Sequence, residues 1–110
     1  MRTVTLDEMR LLVLRTRDPF TVSPVGVVVG PNRQIEASCL VTRGGPKAVE
    51  FVGRVLLDAC YARTPRWRDE PFDVLSECAE AAALRGAFGD VCGHLRLAEE
   101  PAEPLAEVAA

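Results

Sequence analysis

The 110 residues fit a single domain, and a composition with 48% hydrophobic and 26% charged residues is typical of a folded globular protein. The longest apolar runs, at residues 11–14 and 25–29, are far shorter than the roughly 18 residues of a membrane-spanning helix. With no export signal apparent at the N-terminus, we expect a cytoplasmic protein whose four cysteines are free thiols.

The charges are distributed unevenly along the chain. Residues 33–68 contain seven basic and three acidic residues, whereas residues 69–110 contain two basic and ten acidic ones. This pattern keeps nucleic-acid binding open as a function, with the acidic end able to mask the basic stretch in cis. Twelve arginines against one lysine indicate a GC-rich bacterial genome.

The first predicted element is a helix over residues 5–16. Thr5 and Glu8 have the spacing of a capping box, and apolar residues follow at helical intervals. The apolar run inside this segment would serve equally well as a buried strand over residues 10–16. Asp18-Pro19 ends either element, because the residue before a proline is disfavoured in the helical conformation.

A β-hairpin 20–29/34–42 is predicted next. Its first strand is rich in valine and threonine, and its second alternates between apolar and polar side chains. Ser23-Pro24 interrupts the first strand and indicates an edge position or a bulge. The residues at 30–33 are turn-forming types, so the chain is expected to reverse there.

Three helices are predicted in the second half of the chain. The first, over residues 46–63, begins at Pro46 and carries an apolar stripe at helical spacing. The second covers residues 71–85, and a short last helix covers residues 87–96 beyond a pair of glycines.

These elements predict an α+β domain over residues 1–97, with helices packed on one face of a small antiparallel sheet, and a disordered acidic tail over residues 98–110. A two-stranded sheet is only marginally stable alone. It is therefore expected to gain a third strand from residues 10–16 or to be completed by a second copy of the chain. A homodimer is the expectation if residues 10–16 are helical.

One segment is the leading candidate for a binding site, because arginine and tryptophan are the residue types most enriched at interaction hot spots. We predict that it contacts a protein partner. The same arginines would suit a nucleic acid, since they belong to the basic stretch 33–68. The structural alternative is that the tryptophan packs in the core and the arginines are solvated. The segment comprises Tyr61, Arg63, Arg66, Trp67 and Arg68.

A candidate anion site lies where the predicted hairpin meets the predicted helix 46–63. Free backbone amides at a helix start, together with a lysine, would receive an anion. The segment lacks the spacing of a phosphate-binding loop, and an ordinary turn is the alternative. Its residues are Arg43, Gly44, Gly45 and Lys47.

Cys92 and His94 are of the types that bind metals or take part in catalysis. The four cysteines lack the close pairs of a structural zinc site, and a Cys and a His two residues apart point in different directions. Neither a metal site, nor a cofactor, nor a catalytic pair is therefore predicted. The sequence favours a non-catalytic interaction or regulatory protein, with nucleic-acid binding and a Cys/His metal or thiol function as alternatives.

Overall fold

The computed structural model describes residues 2–60, 64–100 and 107–109. Its elements, in chain order, are β1 (Arg2–Thr3), α1 (Leu6–Arg15), β2 (Phe20–Val22), β3 (Gly26–Val29), a 3-10 turn (Pro31–Arg33), β4 (Ile35–Arg43), β5 (Val49–Leu56), α2 (Leu57–Cys60), α3 (Pro65–Asp69), α4 (Pro71–Ala87), α5 (Gly89–Cys92), β6 (Leu95–Arg96) and β7 (Glu107–Ala109).

The architecture is an antiparallel sheet with helices packed against it, which confirms the predicted α+β class. The main sheet has the order β2–β4–β5–β7, and β3 pairs with β4 on the same side as β2. A separate two-stranded ribbon joins β1 and β6 in parallel. Among the described residues, no helix is long and apolar enough to cross a membrane.

The predicted hairpin 20–29/34–42 is confirmed, with its first strand divided into β2 and β3. Ser23 marks the division. Its hydroxyl accepts a hydrogen bond from the backbone N–H of Leu40 at 2.9 Å, while its own N–H donates to the Leu40 carbonyl at 2.8 Å. The side chain thus replaces a ladder contact where Pro24 interrupts the strand, as a proline at an edge position does.

The helix predicted over residues 46–63 is wrong for most of its length, because residues 49–56 form the strand β5 and only Leu57–Cys60 are helical. Gly53 gives one physical reason. Within a helix a glycine costs about 1 kcal/mol relative to alanine, whereas in β5 it allows the strand to lie directly against α4. The segment also satisfies a strand's period of two, with Phe51, Gly53 and Val55 on the side facing α4.

Residues 10–16 do not form a strand, since α1 covers Leu6–Arg15. The predicted cap is confirmed: the Thr5 hydroxyl accepts a hydrogen bond from the backbone N–H of Glu8 at 3.1 Å. The third strand is instead β5, which pairs with β4 from Glu36↔Leu56 to Arg43↔Val49. The third strand is thus supplied by the same chain, so a dimer cannot be argued from a missing strand.

The core lies between the sheet and α4, which extends the predicted helix 71–85 to Ala87. One face of α4 is lined with small residues, and the backbone of β5 approaches it closely. An ideal Cβ placed on Gly53 would lie 2.4 Å from the Ala83 nitrogen and 2.6 Å from the Ala79 carbonyl oxygen. Large side chains from other elements fill the rest of the core: Met9, Val13, Trp67 and Phe88 are fully buried.

The helix predicted over residues 87–96 is only partly right, because α5 ends at Cys92 and Leu95–Arg96 form β6. The chain leaves the helix at Gly93 and pairs with β1, where the N–H of Arg2 donates to the His94 carbonyl at 3.0 Å. These backbone contacts bring the two ends of the domain together.

The division into a domain at 1–97 and an acidic tail at 98–110 stays a prediction, since residues 101–106 and Ala110 lie outside the described residues. Within the described part, Glu99 and Glu100 form ion pairs with the domain. Glu107–Ala109 pair with β5 as the strand β7. At these positions the structure differs from the expectation of a chain without contacts.

Candidate interaction surfaces

Trp67, the centre of the predicted partner-binding segment, is a core residue. It lies on α3, whose N-cap Thr64 accepts a hydrogen bond from the Trp67 backbone N–H at 3.4 Å. The side chain is fully buried, and its Nε1–H donates to the backbone carbonyl of Glu99 at 2.8 Å. The indole therefore presents no surface in this conformation, and the partner contact predicted for Trp67 stays a prediction.

Arg66 is engaged by carboxylates of the same chain. It forms ion pairs with Glu77 and with Glu99, the latter at 2.7 Å, and lies 3.5 Å from Glu70. The hydrogen bond to Glu77 and then that to Glu99 raise the pKa of the Arg66 guanidinium above its ordinary value. With 38% of its side chain exposed, Arg66 lies at the rim of the domain rather than in its core.

The other residues of the predicted segment are placed differently. Arg68 is 72% exposed and lies 3.6 Å from Asp69. Tyr61 and Arg63 lie outside the described residues. Of the described residues of this segment, Arg66 and Trp67 are the two that bind the same residue, Glu99.

Arg85 belongs to the same site as Arg66 and Trp67, although the sequence-based prediction did not include it. Its guanidinium forms a two-pronged contact with the carboxylate of Glu100, at 2.7 and 3.1 Å, and donates to the Leu95 carbonyl. The two side chains are 9% and 7% exposed. A two-pronged arginine–carboxylate contact at such low exposure is among the stronger polar interactions in proteins.

Arg66, Trp67 and Arg85 together form what we call the C-terminal anchor, because all three bind residues 97–100, the acidic segment. Glu99 is held through its carbonyl and its carboxylate, and Glu100 through its carboxylate. Glu100 also accepts a hydrogen bond from the Leu97 N–H at 2.8 Å. An isolated arginine in the alanine-rich run 81–87, followed by paired glutamates, was the available sequence signal.

A surface cleft of about 630 Å³ lies beside the anchor. Its charged lining residues are four acids and two arginines, and both arginines are in ion pairs, Arg10 with Glu80 at 2.6 Å and Arg66 as described. Among the described residues, the lining contains no cysteine, histidine or serine. The charged residues of the lining are Asp7, Glu8, Arg10, Arg66, Glu77 and Glu99.

Arg43, part of the candidate anion site, is buried and neutralised. It is 4% exposed, binds Asp18 at 2.9 Å and Asp90 at 2.6 Å, and its guanidinium lies 4.2 Å from the centroid of the Phe88 ring. Lys47 contacts the same Asp90 at 3.0 Å. The carboxylates of the chain thus occupy the positions that an external anion would need.

The turn at Gly44 and Gly45 connects two strands, not a strand and a helix. The helix start at Pro46 that the anion site required is absent, since β5 follows. Gly45 has a φ of +84° and its position faces the Asp18 carboxylate, which would repel an anion. The geometry therefore favours the alternative of an ordinary turn.

The contacts with Asp90 predict how stability depends on pH. Hydrogen bonds from Arg43, and then from Lys47, hold the pKa of the Asp90 carboxyl far below its usual range. The stabilisation is therefore present above the unfolded-state pKa of about 4 and is lost as the pH falls toward the folded-state pKa. As the pH is lowered below about 4, we expect the urea concentration at the unfolding midpoint of the wild-type protein to decrease. The decrease should be shallower in Asp90→Asn.

Urea titrations of both proteins at a series of pH values check this expectation. Asp58→Asn, the same chemical change at an exposed carboxylate of α2, is the matched control and is expected to follow the wild-type curve. If the curves of Asp90→Asn and wild type stayed parallel down to low pH, the paired state of Asp90 would not stabilise the fold.

The edge of the main sheet exposes three consecutive valines. β3 pairs with β4 on one side, and among the described residues no strand pairs with its other side. Val27, Val28 and Val29 are 42%, 58% and 69% exposed. Successive strand residues point to opposite faces, so this edge is apolar on both. Edge strands usually carry charges or prolines that block pairing, and β3 has none.

The basic stretch 33–68 is not a bare cationic surface in the described residues. Arg43, Lys47 and Arg66 are paired as above, and Arg54 lies 3.6 Å from Glu36. Arg33, in the turn before β4, has a φ of +62°. The arrangement supplies no continuous row of free cations for a phosphate backbone.

Cys92 and His94 lie on different sides of the chain. Cys92 is fully buried, and burial raises the pKa of its thiol, whereas His94 is exposed. In the part of the chain that the structure describes, no three Cys, His, Asp or Glu side chains are placed to hold a metal ion. Cys39 and Cys78 are likewise buried free thiols, which places them among the core side chains.

Comparison of the chain with protein-family models, with curated protein sequences and with solved structures finds no match.

Proposed function

We propose that this protein is a non-catalytic interaction module that self-associates through the β3 edge. The observation that carries the proposal is the unpaired strand Gly26–Val29 with its three exposed valines. Two copies would pair β3 with β3 in an antiparallel manner around a two-fold axis, which extends each sheet into the other.

A second copy is the occupant that best fits this edge. The strand carries no charge, so pairing it with itself brings no like charges together. Around a two-fold axis the valines contact one another, and cross-strand pairs of β-branched side chains contribute roughly 0.2–1 kcal/mol each. The edge thus offers both backbone groups and side chains that complement themselves.

The size of the edge sets the expected strength. A four-residue strand buries less than the roughly 1,000 Å² that a stable interface requires. We therefore expect a reversible dimer with a dissociation constant in the micromolar range or weaker. Such a weak interface suits a regulatory or accessory protein whose assembly state depends on its concentration.

The molar mass in solution tests the proposal. Light scattering over a wide concentration range should show a rise from 11.9 kDa toward twice that value for the wild-type chain. Val28→Lys should remain monomeric, because a charge on an edge strand blocks pairing. Leu14→Lys is the matched control: Leu14, on α1, is 58% exposed, as is Val28.

Two results would contradict the proposal. One is a wild-type chain that stays at the monomer mass at every concentration. The other is a dimer that Leu14→Lys abolishes and Val28→Lys leaves intact, which would move the interface to α1. Circular dichroism on both variants checks that a change in mass does not reflect unfolding.

No observation in the described residues favours the alternatives of a nucleic-acid regulator or a Cys/His metal protein. The first would need free cations where the structure has ion pairs, and the second a ligand cluster where Cys92 and His94 diverge.

A further inference from the structure

We propose that the C-terminal anchor is a receptor site for short acidic chain segments with adjacent glutamates, which the protein's own acidic segment occupies in cis. This inference is independent of the β3 edge. It concerns a different surface, formed by α3 and α4, and a ligand of different chemistry.

The chemistry of the ligand is inferred from the acidic segment, which occupies the site in this structure. Arg66 and Arg85 lie on separate helices and bind successive carboxylates, those of Glu99 and Glu100. Trp67 adds a hydrogen bond to the main chain between them, at the Glu99 carbonyl. Two fixed arginines and a main-chain donor recognise a pair of acidic side chains on one strand of peptide, as arginine clusters do for acidic motifs.

The Arg66–Glu99 contact suits an exchangeable ligand. Its side chains are 38% and 22% exposed, so the ion pair weakens with rising salt, whereas the buried Arg85–Glu100 pair is screened much less. Arg66 is also open to the 630 Å³ cleft, whose wall includes residues 97–99. A competing peptide therefore has a route to Arg66 while the acidic segment is still bound.

The acidic segment covers Trp67, a residue type that is common at binding sites. Trp67 donates to residue 99, so release of the acidic segment removes this hydrogen bond and uncovers this side of the indole. Tryptophan and arginine together are the residue types that dominate interaction hot spots. The site is thus masked by the chain's own acidic residues, and a partner must displace them.

In cis, the acidic segment has an advantage over any free peptide. A tethered ligand acts at an effective concentration of order millimolar. The wild-type protein should therefore show no response to micromolar acidic peptide, and the test requires a full-length variant in which the cis segment is repelled. Glu99→Lys with Glu100→Lys reverses both charges facing Arg66 and Arg85.

Trp67 reports on the site directly, because it is the only tryptophan of the chain. In the double variant its emission should shift to longer wavelength and acrylamide should quench it more strongly. A synthetic peptide of residues 97–106 should then reverse both changes. The same peptide with glutamine at positions 99 and 100 should bind about tenfold more weakly or worse, since each charged contact contributes more than a neutral one.

The controls separate this inference from the proposed function. All measurements are made in the Val28→Lys background, so that pairing of β3 does not contribute. Glu50→Lys with Asp58→Lys provides the same charge change at two exposed sites outside the cleft and should leave the Trp67 emission unchanged. If the double variant does not fold, Glu99→Lys alone is used, because Glu99 is the more exposed of the pair.

The inference is overturned if the variant is folded, with Trp67 exposed, and the peptide fails to restore its emission at millimolar concentration. It is also overturned if Trp67 stays buried in the folded variant, because the acidic segment would then not be what covers the site. Either result leaves the dimer measurement on the wild-type chain unaffected.

Discussion

Replacing Gly53 with alanine is expected to lower the free energy of unfolding by about 3 kcal/mol or more, at the upper end of the usual cost of overpacking. The added Cβ would lie 2.4 Å from the Ala83 nitrogen and 2.6 Å from the Ala79 carbonyl oxygen. Both atoms belong to the backbone of α4, so no side-chain rotation relieves the contact. The helix must move away from the sheet and lose packing along the core.

The expectation is checked by urea unfolding followed by circular dichroism. Gly89→Ala is the matched control, since a Cβ at Gly89 meets no atom within 4 Å and neither glycine has a positive φ. It should change stability by less than about 1 kcal/mol. If Gly53→Ala lowered the free energy of unfolding as little as Gly89→Ala, β5 and α4 would be able to separate without penalty, contrary to their close approach in the structure.

Gly53 also explains why a helix is wrongly predicted for the segment around it. The apolar residues between Val49 and Leu56 satisfy a helical stripe and a strand's alternation at once, so periodicity does not decide. Pro46 and the two glycines before it suit a helix start as well as a hairpin turn. The deciding fact is the contact of Gly53 with Ala79 and Ala83 of α4, more than twenty residues further along the chain, which no local pattern contains.

Elements with a local cause were predicted well. The cap at Thr5 fixes the start of α1, and the alternation of residues 34–42 identifies β4. Pro71 and a consistent apolar face identify α4. In each case the residues that determine the element lie within it, which is the condition under which sequence reasoning succeeds.

The candidate sites were harder because their state depends on distant partners. Arg66 and Trp67 are predicted site residues because of their residue types, yet both bind Glu99, more than thirty residues later. Arg43 was considered as an anion ligand, but Asp18 and Asp90 neutralise it from two other elements. Long-range ion pairs of this kind follow no spacing rule, and only the fold reveals them.

Trp67 is expected to be the most costly side chain of the anchor to remove. Truncating a fully buried tryptophan to alanine typically lowers the free energy of unfolding by about 3–5 kcal/mol, through lost contacts and the cavity left behind. For a domain stabilised by about 5–15 kcal/mol, this is a large fraction of the total. Trp67→Ala should therefore shift the urea midpoint strongly downward.

Two further variants separate the causes of that loss. Trp67→Phe keeps part of the packing but removes the Nε1–H that donates to the Glu99 carbonyl, so its cost should be intermediate. Phe72→Ala, an aromatic truncation at a side chain that is 53% exposed, should cost far less than Trp67→Ala. Circular dichroism follows the backbone rather than the tryptophan, so urea unfolding of the wild-type protein and of the three variants can be compared directly. Equal costs for Trp67→Ala and Phe72→Ala would contradict the packing of the Trp67 indole in the core.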